Sequence, residues 1–155
     1  MQNNQDQAGV TLALNSGGLA IGTTTSQISI ATAVNYLYKG VFGQRATSVS
    51  IAYPIEPGTG LVPTSPNAYV TLAAGQACSF LVVVDSANAL TAVQGPVQTA
   101  GDPCPVAPVP NNRIAIGAFK VVNVTNPFIP GTTALNAAGV TTTYFNLGSH
   151  PGATI

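Results

Sequence analysis

Apolar side chains in this chain recur at alternate positions, in short runs broken by glycine, proline and asparagine. No stretch keeps a helical apolar period of about 3.6 residues, and β-branched residues are spread throughout, so the pattern predicts an all-β protein. A polar arm, residues 1–8, precedes "VTLAL", the Gly17-Gly18 turn and "LAIG". "QISIATAV" leads into "NYLYKGVFGQRA", and "SVSIAYPI" follows. "EPGTGLVPTSPN" reads as a loop by its proline and glycine content. "AYVTLAAGQACSFLVVVD" reads as strand, a turn at Ala74-Gly75-Gln76, and strand; "SANAL" then turns the chain into "TAVQG". Residues 95–112 are too rich in proline for a sheet interior. "RIAIGAFKVVNV" is the longest predicted strand, and "TNPFIPGTTALNAAG" is a loop before a last strand in "VTTTYFNL". "ISIATAVNYLY" would also fit a short helix, but its β-branched content favours strand.

About nine or ten short strands with turn signals between them predict a single-domain sandwich or small barrel, jelly-roll-like, with long Pro/Gly loops. The β domain spans 9–147, between a flexible N-terminal arm (1–8) and a short C-terminal tail (148–155). No fixed-period repeat is present, which argues against a solenoid or propeller.

The hairpin "NYLYKGVFGQRA", residues 35–46, joins two arms at Lys39-Gly40. Successive strand side chains face opposite ways, so Tyr36 and Tyr38 point to one side and Leu37 to the other. Both faces therefore carry apolar residues, whereas a hairpin in a small monomer usually keeps one polar face.

Composition sharpens this. Charged residues make up 5% of the 155 residues, against about 25% in an ordinary soluble protein. Hydrophobic residues stay at 46% and the formal net charge is zero. Nucleic-acid binding needs clustered basic residues, and only four Lys and Arg are present, dispersed, so no nucleic-acid partner is expected. No membrane partner is expected either: a helical span takes about 20 apolar residues, and the longest clean apolar run is Phe80 to Val84. "MQNNQDQAGV" lacks the basic and apolar regions of a secretory signal, so synthesis in a cytoplasm is expected. Cys78 and Cys104 could pair, but free thiols fit a reducing compartment better. Cys78, in "ACSFLVVV", reads as a buried small hydrophobe. No cofactor or metal is expected, since a two-cysteine site lacks partners and the single histidine, His150, lies in "GSHPGATI".

Hydrolytic chemistry needs a nucleophile, a base and an orienting group brought together. The supply here is Asp6, Glu56, Asp85, Asp102 and His150. Asp85 ends a strand in "VVVDSAN" and reads as an Asx-turn residue, while Glu56 and Asp102 sit in turns where carboxylates cap amides. A Glu56–Asp102 carboxylate pair is possible in principle, but no aromatic-lined cleft is readable beside it, so no catalytic pair is expected. Glycine-rich stretches lack the phosphate-loop pattern, and "NVT" at Asn123 reads as a strand end rather than a glycosylation site. The expectation is a protein that is not an enzyme.

Charge depletion with retained aromatics is the composition of a buried interface. Tyr36, Tyr38, Phe42, Tyr144 and Phe145 are the candidate interface anchors, with one hairpin face on the core and the other on a neighbouring subunit. Strand edges without lysines to blunt them add to that expectation.

The succession "NYLYKGVFGQRAT", "LAAGQACSFLVVVD", "VQG", "IAIGAFKVVN", "FIPGTTALNAAGVTTTYFN" resembles small virion structural proteins of tailed bacteriophages, over about residues 30–147. The shared motifs are structural punctuation. The resemblance implies a capsid cement or decoration protein on the shell exterior, bound to the major capsid protein at subunit joints, commonly as a homo-oligomeric trimer. The alternative is a head or tail fibre or another receptor-binding component. A non-viral self-assembling surface or adhesin module is the reading that the composition alone would leave.

Overall fold

The computed structural model describes residues 10–53, 55–57 and 70–146. The N-terminal arm, Asp6, most of the 56–67 loop, the C-terminal tail and His150 lie outside these residues. Among the described residues there are twelve strands: β1 (Leu12–Ala13), β2 (Leu19–Ile21), β3 (Ile28–Ile30), β4 (Val34–Tyr38), β5 (Val41–Arg45) and β6 (Ser48–Ile51), then β7 (Ile55–Pro57), β8 (Gln76–Asp85), β9 (Leu90–Gln94), β10 (Gln98–Thr99), β11 (Arg113–Asn123) and β12 (Val140–Phe145). There is no helix among the described residues, so "ISIATAVNYLY" forms strands β3 and β4.

The fold is an all-β sandwich, not a closed barrel. A six-stranded sheet has the order β12-β11-β8-β9-β7, with β10 also paired to β8. Two three-stranded sheets, β1-β4-β5 and β2-β3-β6, hold the remaining strands among the described residues. "SVSIAYPI", expected as one strand, divides into β6 and β7, and β7 runs on into Glu56 and Pro57 parallel to β9. Proline is tolerated there because β7 is an edge strand.

The six-stranded sheet is buried on both faces. Alternation in β8 sends Cys78, Phe80, Val82 and Val84 into the main core, where they meet Leu19, Ile28, Ile30, Val34 and Tyr36 from the two small sheets. Leu81 and Val83 point the other way, into a second core with Val93, Ala115 and Ala118. Ala107, Val106 and Val109 cover that second core. The proline-rich segment, unfit for a sheet interior, serves as a lid over one. Burying each large aliphatic or aromatic side chain stabilises the fold by about 1.5–3 kcal/mol, and this double-sided burial explains the near-continuous apolar run in β8.

In β11 the register on β8 shifts between Ala115 and Gly117, so one extra residue enters the strand. Ile114 and Ile116 face the main core before the bulge, and Phe119 and Val121 face it after, so the parity of the apolar positions changes at this point. Gly117 is required beside the bulge: a Cβ there would collide with the Leu19 side chain. Phe119 stacks on Phe80 with ring centroids 4.9 Å apart, and Tyr53 meets it edge-on at 5.5 Å.

Candidate interaction surface

The hairpin of β4 and β5 turns through Lys39 and Gly40, both with positive φ (50° and 77°). That is the type I′ geometry whose twist suits a two-residue hairpin. The register then follows: Tyr38 opposes Val41, Leu37 opposes Phe42 and Tyr36 opposes Gly43. On the other side β1 places Leu12 opposite Leu37 and Ala13 opposite Tyr36. Leu12, Leu37 and Phe42 therefore stand side by side on the outer face.

Tyr36 and Ala13 occupy the inner face, in the main core. The Tyr36 ring lies over Gly43, which must lack a Cβ to admit it. Ala13 stands beside it on the neighbouring strand. This inverts "VTLAL": the small residue goes inward, while Leu12 and Leu14 are 39% and 50% exposed. Phe42 is 62% exposed, and Val10 and Val41 lie open near the hairpin tip. The tip is held to the N-terminal strand, since the Gly40 amide donates to Val10 O (3.1 Å) and the Lys39 amide to Thr11 Oγ1 (3.0 Å).

Charge touches this surface only at its margins. Lys39 Nζ sits over the Tyr38 ring, 5.5 Å from its centroid. Arg45 donates to Asn88 O (2.6 Å) in the β8–β9 turn, and the Asn88 amide donates to Gln44 O (3.2 Å). That turn is built by Asp85, whose Oδ1 accepts from the Ala87 and Ala89 amides, both at 2.9 Å, as its Asx-turn reading required.

Of the five expected anchors, Phe42 alone is well exposed. Tyr36 belongs to the core, which corrects its assignment to an interface. Tyr38 and Tyr144 are half-buried with their rings against the main core, and Phe145 is half-buried against the second core. Tyr144 reaches the Phe119 ring at 6.0 Å, and burial pushes its phenol up to about 12. Tyr144 and Phe145, adjacent on β12, point to opposite cores because the six-stranded sheet has two. The residues that the sequence reading missed are Leu12 and Leu14. Their alternation in "VTLAL" was visible, but its direction depends on the Ala13–Tyr36 pairing across strands.

Glu56 and Asp102 have separate basic partners. Glu56 Oε1 binds Arg113 Nη2 at 3.1 Å, and Arg113 also donates to Thr91 Oγ1 at 2.9 Å. The Asp102 carbonyl instead takes Lys120, at 3.4 Å. Arg113 begins the pairing of β11 with β8 and Lys120 lies well along it, about 20 Å away along the strand. Cys78 and Cys104 are both free and buried. Gln94 donates to Cys78 Sγ at 3.6 Å, and burial pushes that thiol well up. Among the described residues no three His, Cys, Asp or Glu side chains come together. An open depression of about 820 Å³ runs along β2, β3 and β6 between Ile21, Ser29, Thr47 and Val49, with no charged group in its lining.

No helix among the described residues is long and apolar enough to cross a membrane. Comparison of the chain with protein-family models, curated proteins and solved structures found no match.

Proposed function

We propose that this protein is a virion structural component: a decoration protein that binds the outside of a phage capsid at joints between major capsid subunits and stabilises the shell. The observation that carries this reading is the outer-face row of exposed Leu12, half-buried Leu37 and exposed Phe42, in register across a sheet of a nearly charge-free protein. An aligned apolar row rimmed by polar groups is the form of a docking surface. Repetition over a symmetric shell would multiply a modest contact into a large total stabilisation. The partner is the major capsid protein, and a homo-oligomer, a trimer by the resemblance, would present several copies of the row at one joint. Synthesis in the host cytoplasm followed by assembly on the shell exterior fits this role. The work is binding rather than catalysis.

Quantitative mass spectrometry of gradient-purified virus particles, counting this chain against the major capsid protein, tests the proposal. A near-stoichiometric ratio supports decoration of the shell lattice. A few copies per particle would move the chain to a tail or vertex fibre, and absence from particles would overturn the virion reading.

A further inference from the structure

Cys104 and Lys120 come from different parts of the chain and meet at one atom. Cys104 Sγ lies 3.7 Å from the Asp102 carbonyl oxygen, and Lys120 Nζ lies 3.4 Å from the same oxygen. The cysteine belongs to the proline-rich lid, and the lysine to β11 beneath it. The lid is fixed here by a built turn: the Ala100 amide donates to Gly75 O (2.7 Å), the Asp102 amide donates to Thr99 O (3.0 Å), and Gly101 takes φ +101°. Cys104 is buried, while Lys120 is half-buried. Burial pushes the Cys104 thiol up, and the Lys120 amine beside it draws it partly back. Cys78 differs, since its neighbour is the Gln94 amide on the main-core side.

We propose that Cys104 and Lys120 are a covalent modification site, closed by peroxide into a sulfur–oxygen–nitrogen bridge that fastens the lid to β11. The thiolate attacks one oxygen of hydrogen peroxide; the S–O bond forms, the O–O bond breaks and water leaves, giving a sulfenic acid. The Lys120 amine then joins the sulfenic oxygen. A second peroxide takes up the two electrons released as the N–O bond forms, the sulfenic proton and one amine proton depart, and two waters result. In total, thiol, amine and two peroxides give the bridge and three waters. Both reacting groups act deprotonated, so closure accelerates as pH rises. The site stands independently of any capsid role.

Intact-mass spectrometry of the full chain after incubation with hydrogen peroxide tests this. The expected product gains one oxygen and loses two hydrogens, a net change of about 14 Da. It is reversed by dithiothreitol, abolished in Cys104→Ser and Lys120→Arg, and retained in Cys78→Ala. Tryptic mapping of the wild-type protein gives the same answer without a variant: cleavage after Lys120 is lost and a peptide joining Cys104 to Lys120 appears. Products that gain only whole oxygens, or a bridge mass that survives Lys120→Arg, would overturn the proposal.

Discussion

Gln94 is fully buried, yet its side-chain amide is occupied on both ends. Oε1 accepts from the Val70 amide at 2.7 Å and Nε2 donates to Val70 O at 2.8 Å, so one side chain acts as a strand partner for a segment outside the sheet. Replacing it by leucine strands both backbone groups, and Gln94→Leu is expected to cost about 1–3 kcal/mol in urea unfolding. Gly43 presents the opposite problem. A methyl group there displaces the buried Tyr36 ring, and Gly43→Ala is expected to lose about 1–3 kcal/mol by the same measurement. Single-residue roles were legible where chemistry is local. Asp85 declared its turn through "DSAN", and Cys78 its burial through "FLVVV". Gln94 and Gly43 did not, because their partners lie 24 residues away for Gln94 and on a facing strand for Gly43.

Among the elements, the bulge in β11 decides which side chains fill which core. By absorbing Ile116 as an unpaired residue, it lets Ile114 before it and Phe119 and Val121 after it share the main-core face although their positions differ in parity. Deleting Ile116 makes Ala115 and Gly117 consecutive in a regular ladder on Val83 and Val82, so Phe119 and Val121 keep facing the main core and only the buried Ile116 side chain is lost. The expected cost is about 2–5 kcal/mol, read from the unfolding transition by circular dichroism, whereas Ile116→Val costs only about 0.5–1.5 kcal/mol. The bulge could be read in "RIAIGAFKVV", where large apolar residues sit at even positions before Gly117 and at odd positions after it. The strands, the type I′ hairpin and the exclusion of residues 95–112 from the sheet interior were legible for the same reason: each is set by local alternation or turn chemistry. The two-sheet division of the N-terminal half was not. It depends on which short strands pair at a distance, and β1, β2 and β3 are two or three residues each. The outer face of the hairpin was half legible. Phe42 was named, but Leu12 and Leu14 emerge only once the register with Tyr36 is known.

At the scale of the molecule, buried acids and a sparse charge set shape the response to conditions. Burial raises Cys78 and Cys104 above their ordinary value of 9.0, and Tyr53 and Tyr144 above 10.0, Tyr144 to about 12. Each is neutral when protonated. The folded state therefore holds these protons to higher pH than the unfolded chain, so their stabilisation is complete below about pH 9 and declines as pH rises through 10 to 12. Urea midpoints measured across that range should fall, and Tyr144→Phe should soften the decline above pH 10. The outer hairpin face should respond to none of this, since its contacts are apolar. Substituting Leu12 and Phe42 together by serine removes two of three aligned side chains already exposed in the subunit, so the urea midpoint should move by no more than about 0.5 kcal/mol in equivalent stability. Binding should suffer far more, because burial of each side chain against a partner is worth about 1.5–3 kcal/mol. Occupancy of the doubly substituted chain on capsids lacking it, assayed by sedimentation, should drop at least tenfold relative to wild type. Wild-type occupancy should also change little as salt rises, because so few charges are present to screen. Full occupancy by the variant would remove the hairpin face from the interface, and steep salt dependence would shift the contact toward Lys39 and Arg45 at its margins.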